Sequence, residues 1–215
     1  MEESRCKKLH ANRSVNHQLH LALYNKTIQV VESTGLPFFI INKSTQNGIN
    51  FGEKLANAID LVFSKNYNVV IAIGNDCPQL SADILLNAAF KMKHQQMVLG
   101  PDRNGGIYLL GITADLFNKK AISTIPWQTK NVFTSLLKYK ETSLKEINVL
   151  DELSDFNKLS DYNFLQKILH SINGFIKLIA TIISGIKLCR FAIYLFTYAS
   201  CLLSKKQLRG PPSYC

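Results

Sequence analysis

After Asp161 the chain has no acidic residue at all, although it runs to 215 residues. The segment 172–215 carries six basic residues (Lys177, Lys187, Arg190, Lys205, Lys206 and Arg209) against none of the opposite sign. The remainder holds 19 basic and 15 acidic residues, so the overall +10 belongs mostly to the tail. A body at only +4 has no concentrated basic face, and no basic stripe with interleaved aromatics, which argues against nucleic acid as a partner. A mild positive balance still suits phosphate-bearing ligands. Cysteines are few, odd in number and scattered (Cys6, Cys77, Cys189, Cys201, Cys215). With no C-x-x-C pair, a zinc site or a disulfide framework is not expected, and a reducing, cytoplasmic compartment is the natural reading. Met1 to Arg13 is polar and charged, without the apolar core of a signal peptide. Low-complexity stretches and internal repeats are also missing. An apolar fraction of 47% against 19% charged excludes wholesale disorder.

What is present reads as a layered α/β fold. Val15, Leu19, Leu23 and Val30 recur near helical spacing, and Gly35 with Pro37 ends that helix, predicted over 15–33. Pro37-Phe38-Phe39-Ile40-Ile41 has the composition of a short buried strand. Phe51, Leu55, Ile59, Val62 and Phe63 share one face of a helix over 51–65. Val69-Val70-Ile71-Ala72-Ile73 is the clearest strand, continuous and β-branched, as in a parallel sheet covered on both faces. Ser81 is placed to cap a helix over 82–93. Strands follow at 97–99 and 107–112, then a helix near 129–140, a short strand at 146–150 and a helix near 155–170. Strands alternating with helices point to an α/β architecture. The expected division is a domain over 1–170 and an apolar, basic helical tail over 171–215.

Three runs carry candidate chemistry. Gly74-Asn75-Asp76-Cys77-Pro78-Gln79-Leu80 stands where the best strand ends, and open α/β sheets place their ligands there. An Asp at that point can hold a hard divalent cation, whose remaining positions go to water and phosphate; it can equally cap the next turn, with Pro78 shaping it. Leu99-Gly100-Pro101-Asp102-Arg103-Asn104-Gly105-Gly106-Ile107-Tyr108 is the second run. Its paired glycines permit close approach of backbone to a ligand, while Asn-Gly is also a strong hairpin signal. In Ile125-Pro126-Trp127-Gln128-Thr129, the only Trp of the chain precedes a helix that Thr129 could cap. That indole could wall an acceptor pocket or fill the core.

The ordered motifs G-N-D-C-P-x-L, L-G-P-x-x-x-G-G-x-Y-L-L-G and I-P-W-x-T, preceded by Asn50-Phe51-Gly52-Glu53-Lys54-Leu55-Ala56, resemble a family of uncharacterised nucleotide-diphospho-sugar transferase-like proteins. The family includes an arsenosugar-biosynthesis branch and is more distantly similar to the guanylyltransferases that activate molybdenum cofactor and phospholactate. The resemblance covers about residues 5 to 160. It implies a Rossmann-like, glycosyltransferase-A-type domain and a metal-assisted transferase using a nucleotide-activated donor and a small-molecule acceptor. By that resemblance Asp76 would contact Mg²⁺ or Mn²⁺. Asn75, Asp76, Pro78, Gly105, Gly106, Trp127 and Thr129 would line the nucleotide-sugar or acceptor site, and Asp102 or Asp151 would act as base. The alternatives are a nucleotidyltransferase of the guanylyltransferase type and a truncated, non-catalytic binding protein.

The sequence departs from that pattern in three places. The apolar first strand of the family has no counterpart before Arg5-Cys6-Lys7-Lys8-Leu9. The usual D-G-G reads Asn104-Gly105-Gly106. The late D-x-D reads Asp151-Glu152-Leu153. The segment 172–204 is an addition with three open arrangements: lying on a membrane surface, spanning it, or packing onto the domain. Phe191 to Ser204 gives 14 uncharged residues, short of the ~20 a span needs. Extending it back places Lys187 and Arg190 near the middle, at about 2.5–3.5 kcal/mol each.

Overall fold

In the computed structural model, the described residues are 9–42, 44–139, 147–157, 161 and 173–184. The chain divides into two compact units, Leu23–Asn157 and a second made of Met1–Ala22 with Lys158–Cys215. Helix α1 (Arg13–Ser33) contributes to both.

The unit Leu23–Asn157 is built on a four-stranded sheet. Its helices are α2 (Phe51–Phe63), α3 (Ala82–Lys91), α4 (Lys119–Thr124) and α5 (Val132–Leu137). Its strands are β1 (Val69–Ile73), β2 (Met97–Pro101), β3 (Ile107–Thr113) and β4 (Ile147–Val149), in the order β1-β3-β2-β4. β3 runs antiparallel to both β1 and β2, whereas β4 is parallel to β2. β1, β2 and β4 therefore point the same way, and their carboxyl ends share one end of the sheet.

Alternation along the strands sorts two apolar layers. Met97, Leu99, Leu110 and Ile112 pack with Ala56 and Ile59 of α2, Ile122 of α4, and Val132 and Leu136 of α5. Val98, Leu109, Ile71 and Ile73 pack with Leu85, Ala88 and Met92 of the α3 segment and with Val30 and Val31 of α1. Helices thus cover both faces, the α/β layering expected from the sequence. Local signals fix the helix starts. Asn50 accepts from the Glu53 N–H at 2.9 Å, and Glu53 accepts from the Ile49 N–H at 2.8 Å, a reciprocal cap for α2. Ser81 accepts from Ile84 N–H and opens α3.

Two expectations are corrected. The sheet is not the all-parallel one that the composition of β1 suggests: among the described residues β1 pairs with β3 alone, antiparallel, and is the last strand on its side. Its residues are half-buried and Val69 is exposed, and no described strand meets its other flank. The segment 37–41 is not a strand. It has no ladder partner among the described residues, and Leu36, Phe38, Phe39 and Ile40 are exposed by about two-fifths (39%, 42%, 37% and 38%). An apolar run becomes a strand only when another strand takes up its backbone groups.

In the second unit, Leu9 and Leu19 are buried, and the Asn16 side chain accepts from Leu9 N–H at 2.7 Å. Helix α6 (Asn173–Ser184) buries Ile179 and Ile182. Among the described residues no helix is long and apolar enough to cross a membrane. The stretch 185–204 and most of the helix expected near 155–170 lie outside the described residues.

Candidate active site

Three loops leave the carboxyl ends of β1, β2 and β4, and the chain stitches them together. The first follows β1. Gly74 N–H makes the last bond to β3, donating to Tyr108 carbonyl at 3.2 Å, and the chain then turns through Asn75 and Asp76, both half-buried. Cys77 and Pro78 are buried beneath them, and Leu80 N–H closes the turn onto Cys77 carbonyl. The other elements hold this loop at three points. Phe156 N–H donates to Asp76 carbonyl at 2.7 Å, Ser154 N–H to Gln79 Oε1 at 2.7 Å, and Lys26 Nζ to Leu80 carbonyl at 2.9 Å.

The second loop is the β2–β3 turn, so the hairpin reading of Asn-Gly holds. Asp102 is buried, and its Oδ1 accepts from Asn104 N–H at 2.6 Å and Gly106 N–H at 3.0 Å. Its other oxygen lies where a Cβ on Gly106 would stand, 2.3 Å away. The carboxylate therefore shapes the loop from inside. Gly105 has φ of +83°, and Phe133 N–H donates to its carbonyl.

A register shift at Gly100/Pro101 re-aims Tyr108. The ring leaves the face used by Leu110 and Ile112, crosses the Gly100 backbone, and its hydroxyl donates to Asp151 carbonyl at 3.0 Å. Burial holds the phenol above its ordinary range, with Cys77 and Asp151 adding to the effect.

The third loop follows β4. Leu150 N–H bonds Leu99 carbonyl, Leu153 N–H bonds Pro101 carbonyl, and Arg103 N–H bonds Leu153 carbonyl, which extends the β2–β4 pairing past the strand end. Asp151 and Glu152 are exposed, with Arg103 Nε 3.5 Å from Glu152.

Burial first, then the charges of Asp155 and Asp76, pushes the Cys77 thiol up to about 12. Two carboxylates therefore bear on this buried sulfur. The thiolate is disfavoured in the fold, so this contribution to stability is full below the ordinary value of 9.0 and lost as pH rises toward 12. Alkylation of Cys77 by iodoacetamide at pH 8, followed by peptide mass spectrometry, should be negligible in the native protein and rapid in urea. Equal rates in the two states would contradict the buried placement.

The structure thus brings together Asn75, Asp76, Pro78, Asp102, Gly105, Gly106 and Asp151 at one end of the sheet. Trp127 is held by core packing. Its Nε1 donates to Ile122 carbonyl at 2.7 Å, its ring lies 5.7 Å from Phe51, and a Cβ on Gly52 would meet it at 2.7 Å. It packs with the α2 layer, whereas Cys77 and Leu80 belong to the α3 layer. Thr129 does not cap the next helix. Its hydroxyl accepts from Asn131 N–H and donates to Pro126 carbonyl, and α5 begins at Val132 after Asn131.

Two site residues were not singled out from the sequence. Lys26 sits in a helix read for its apolar spacing, and Asp155 falls beyond the Asp151-Glu152 run. Burial lowers the Lys26 pKa, with Cys77 opposing that shift. Among the described residues no group of three or more His, Cys, Asp or Glu side chains could hold a metal ion. The donor chemistry here is one or two carboxylates, a set that suits Mg²⁺ when phosphate and water complete the shell.

A family model described as "Uncharacterized protein conserved in bacteria (DUF2064)" matches residues 9–129. No curated protein matches the sequence. Among solved structures, a protein from Desulfovibrio desulfuricans G20, provisionally assigned as a nucleotide-diphospho-sugar transferase, is similar at a TM-score of 0.68 and 17% identity. The match covers 79% of this chain and 84% of that one. At this identity the likeness is one of fold.

Proposed function

The chain belongs to the DUF2064 family, and on that footing we propose that it is a transferase using a nucleotide-activated donor, in the first instance a glycosyltransferase. The observation that carries this reading is the convergence of the Asp76 loop, the Asp102–Gly106 turn and the 150–156 segment at the carboxyl end of β1, β2 and β4. That is where sheets of this class receive nucleotides. The provisional assignment of the Desulfovibrio protein agrees with it.

In this reading Asp76 contacts a divalent cation, Mg²⁺ or Mn²⁺, that neutralises the diphosphate of the leaving nucleotide. Gly105 and Gly106 let the turn approach the donor or acceptor closely. Asp102 already accepts two backbone N–H groups, so it positions this turn. Asp151 is exposed at the mouth and is the better placed base for an acceptor hydroxyl. Lys26 holds the Asp76 loop from beneath through Leu80 carbonyl.

Thermal unfolding with a panel of nucleoside diphosphates and nucleotide-sugars, each with and without Mn²⁺, tests this. A donor at 100 times its Kd should stabilise the protein by about 2.7 kcal/mol. The gain should require metal and vanish in Asp76→Ala. A folded protein that shifts with no ligand would sink the proposal and favour the non-catalytic alternative. Release of pyrophosphate from a nucleoside triphosphate would instead identify a nucleotidyltransferase.

A further inference from the structure

Among the described residues, β1 has one open edge. On its paired side, Ala114 N–H donates to Asn68 carbonyl, and Gly74 N–H donates to Tyr108 carbonyl. With the register Val69↔Thr113 to Ile73↔Leu109, these bonds place the N–H and C=O of Val70 and Ala72 toward β3. The N–H and C=O groups of Val69, Ile71 and Ile73 point the other way, where no described strand meets them. Natural edges are blunted by charge, proline or a bulge. β1 has none of these: it is Val-Val-Ile-Ala-Ile, and its pairing with β3 is regular.

We propose that this edge pairs with the same edge of a second copy, antiparallel, about a two-fold axis through Ile71. The arrangement joins two four-stranded sheets into one of eight. In that register Ile71 faces its own copy and Val69 faces Ile73. All three are residues whose backbone groups point outward, so every pair exchanges two hydrogen bonds and the edge is complementary to itself. The edge itself carries no charge, so no like charges oppose each other across it. Lys65 precedes the strand and Asp76 follows it. The two-fold therefore turns the basic end of one copy toward the acidic end of the other.

The apolar surface continues beyond the strand. Phe39 lies 5.5 Å from Tyr67, just before β1. Leu36, Phe38, Phe39, Ile40 and Val69 are exposed by 39%, 42%, 37%, 38% and 37%. With roughly 200 Å² per large side chain, they offer on the order of 400 Å² per copy before any backbone is counted. A pair would bury about 800 Å² from these five alone, most of the way to the roughly 1,200 Å² at which stable interfaces begin.

Sedimentation equilibrium and amide hydrogen exchange on the full chain test the pairing. The wild type should be a dimer at micromolar concentration, with slow exchange at Val69, Ile71 and Ile73 as well as at Val70 and Ala72. Ile71→Pro removes an outward N–H and takes no bond from β3. Val69→Lys adds a charge to the exposed start of the edge. Both should give monomers in which Val70 and Ala72 stay protected and the remaining edge amides exchange freely. If Ile71→Pro does not fold, Val69→Lys decides. A monomeric wild type with free exchange at Ile71 means the edge is open in solution and overturns the proposal. A monomeric wild type with slow exchange there means that another part of the same chain covers it, which also overturns it. A dimer that survives both substitutions uses a different surface.

Discussion

Tyr108→Ala should cost about 3–5 kcal/mol in urea-induced unfolding, the range for deleting a buried aromatic side chain. Tyr108→Phe should cost only about 0.5–1.5 kcal/mol, the net loss of one hydrogen bond whose acceptor, the carbonyl of exposed Asp151, can turn to water. The separation follows from what the side chain does. Its ring fills the space over Gly100 and is 2% exposed, so removal leaves a cavity between the sheet and the 150–156 segment. The hydroxyl fastens the same segment through Asp151 carbonyl. The phenylalanine variant keeps the packing and releases only the fastening. If the two variants lost equal stability, the ring would not be the wedge that the register shift makes of it.

Gly105→Ala should be the second severe change, at about 2–4 kcal/mol by the same measurement, since it combines a positive-φ penalty with overpacking. At φ of +83° an L side chain is strained wherever it points. Here it also points at backbone: a Cβ would stand 2.1 Å from Lys130 carbonyl oxygen. Backbone cannot swing aside as a flexible side chain can, so the turn or the 127–133 loop must move. On the proposed function, donor binding should weaken together with stability, because Asp102, Asn104 and Gly106 share that turn. A variant of wild-type stability would show that the two loops separate freely.

Much of this was legible in the sequence, and the limits have physical causes. Helical spacing over 51–65 is a local signal, and α2 starts where it says, with Asn50 and Glu53 supplying the cap in the fold. The Asn-Gly turn predicts its hairpin because turn geometry is also local. The Asp76 loop could be placed because it begins where the apolar run of β1 ends. An apolar run, by contrast, does not state how many neighbours it will have. Val69–Ile73 looks the same on paper at an edge or in the middle of a sheet, and Pro37–Ile41 looks like a strand whether or not one pairs with it. Trp127 posed a similar problem. Its role depends on Gly52, 75 positions earlier in the chain, leaving room for the ring. Lys26 and Asp155 were missed because each reaches the site through the fold, without a spacing that marks it.

The bonds that secure the Asp76 loop join distant parts of the chain: Ser154 and Gln79 are 75 residues apart, and Phe156 reaches Asp76 across a similar span. Closing such loops is slow because the entropy of a long excursion is lost before the contact forms. During synthesis the strand Val69–Ile73 and its loop leave the ribosome well before the segment that anchors them. A nascent chain halted before Leu150 would carry Asp76 and the whole β2–β3 hairpin yet lack every hydrogen bond from the third loop. The Asp76 loop would therefore be fastened late, with the emergence of residues 150–156.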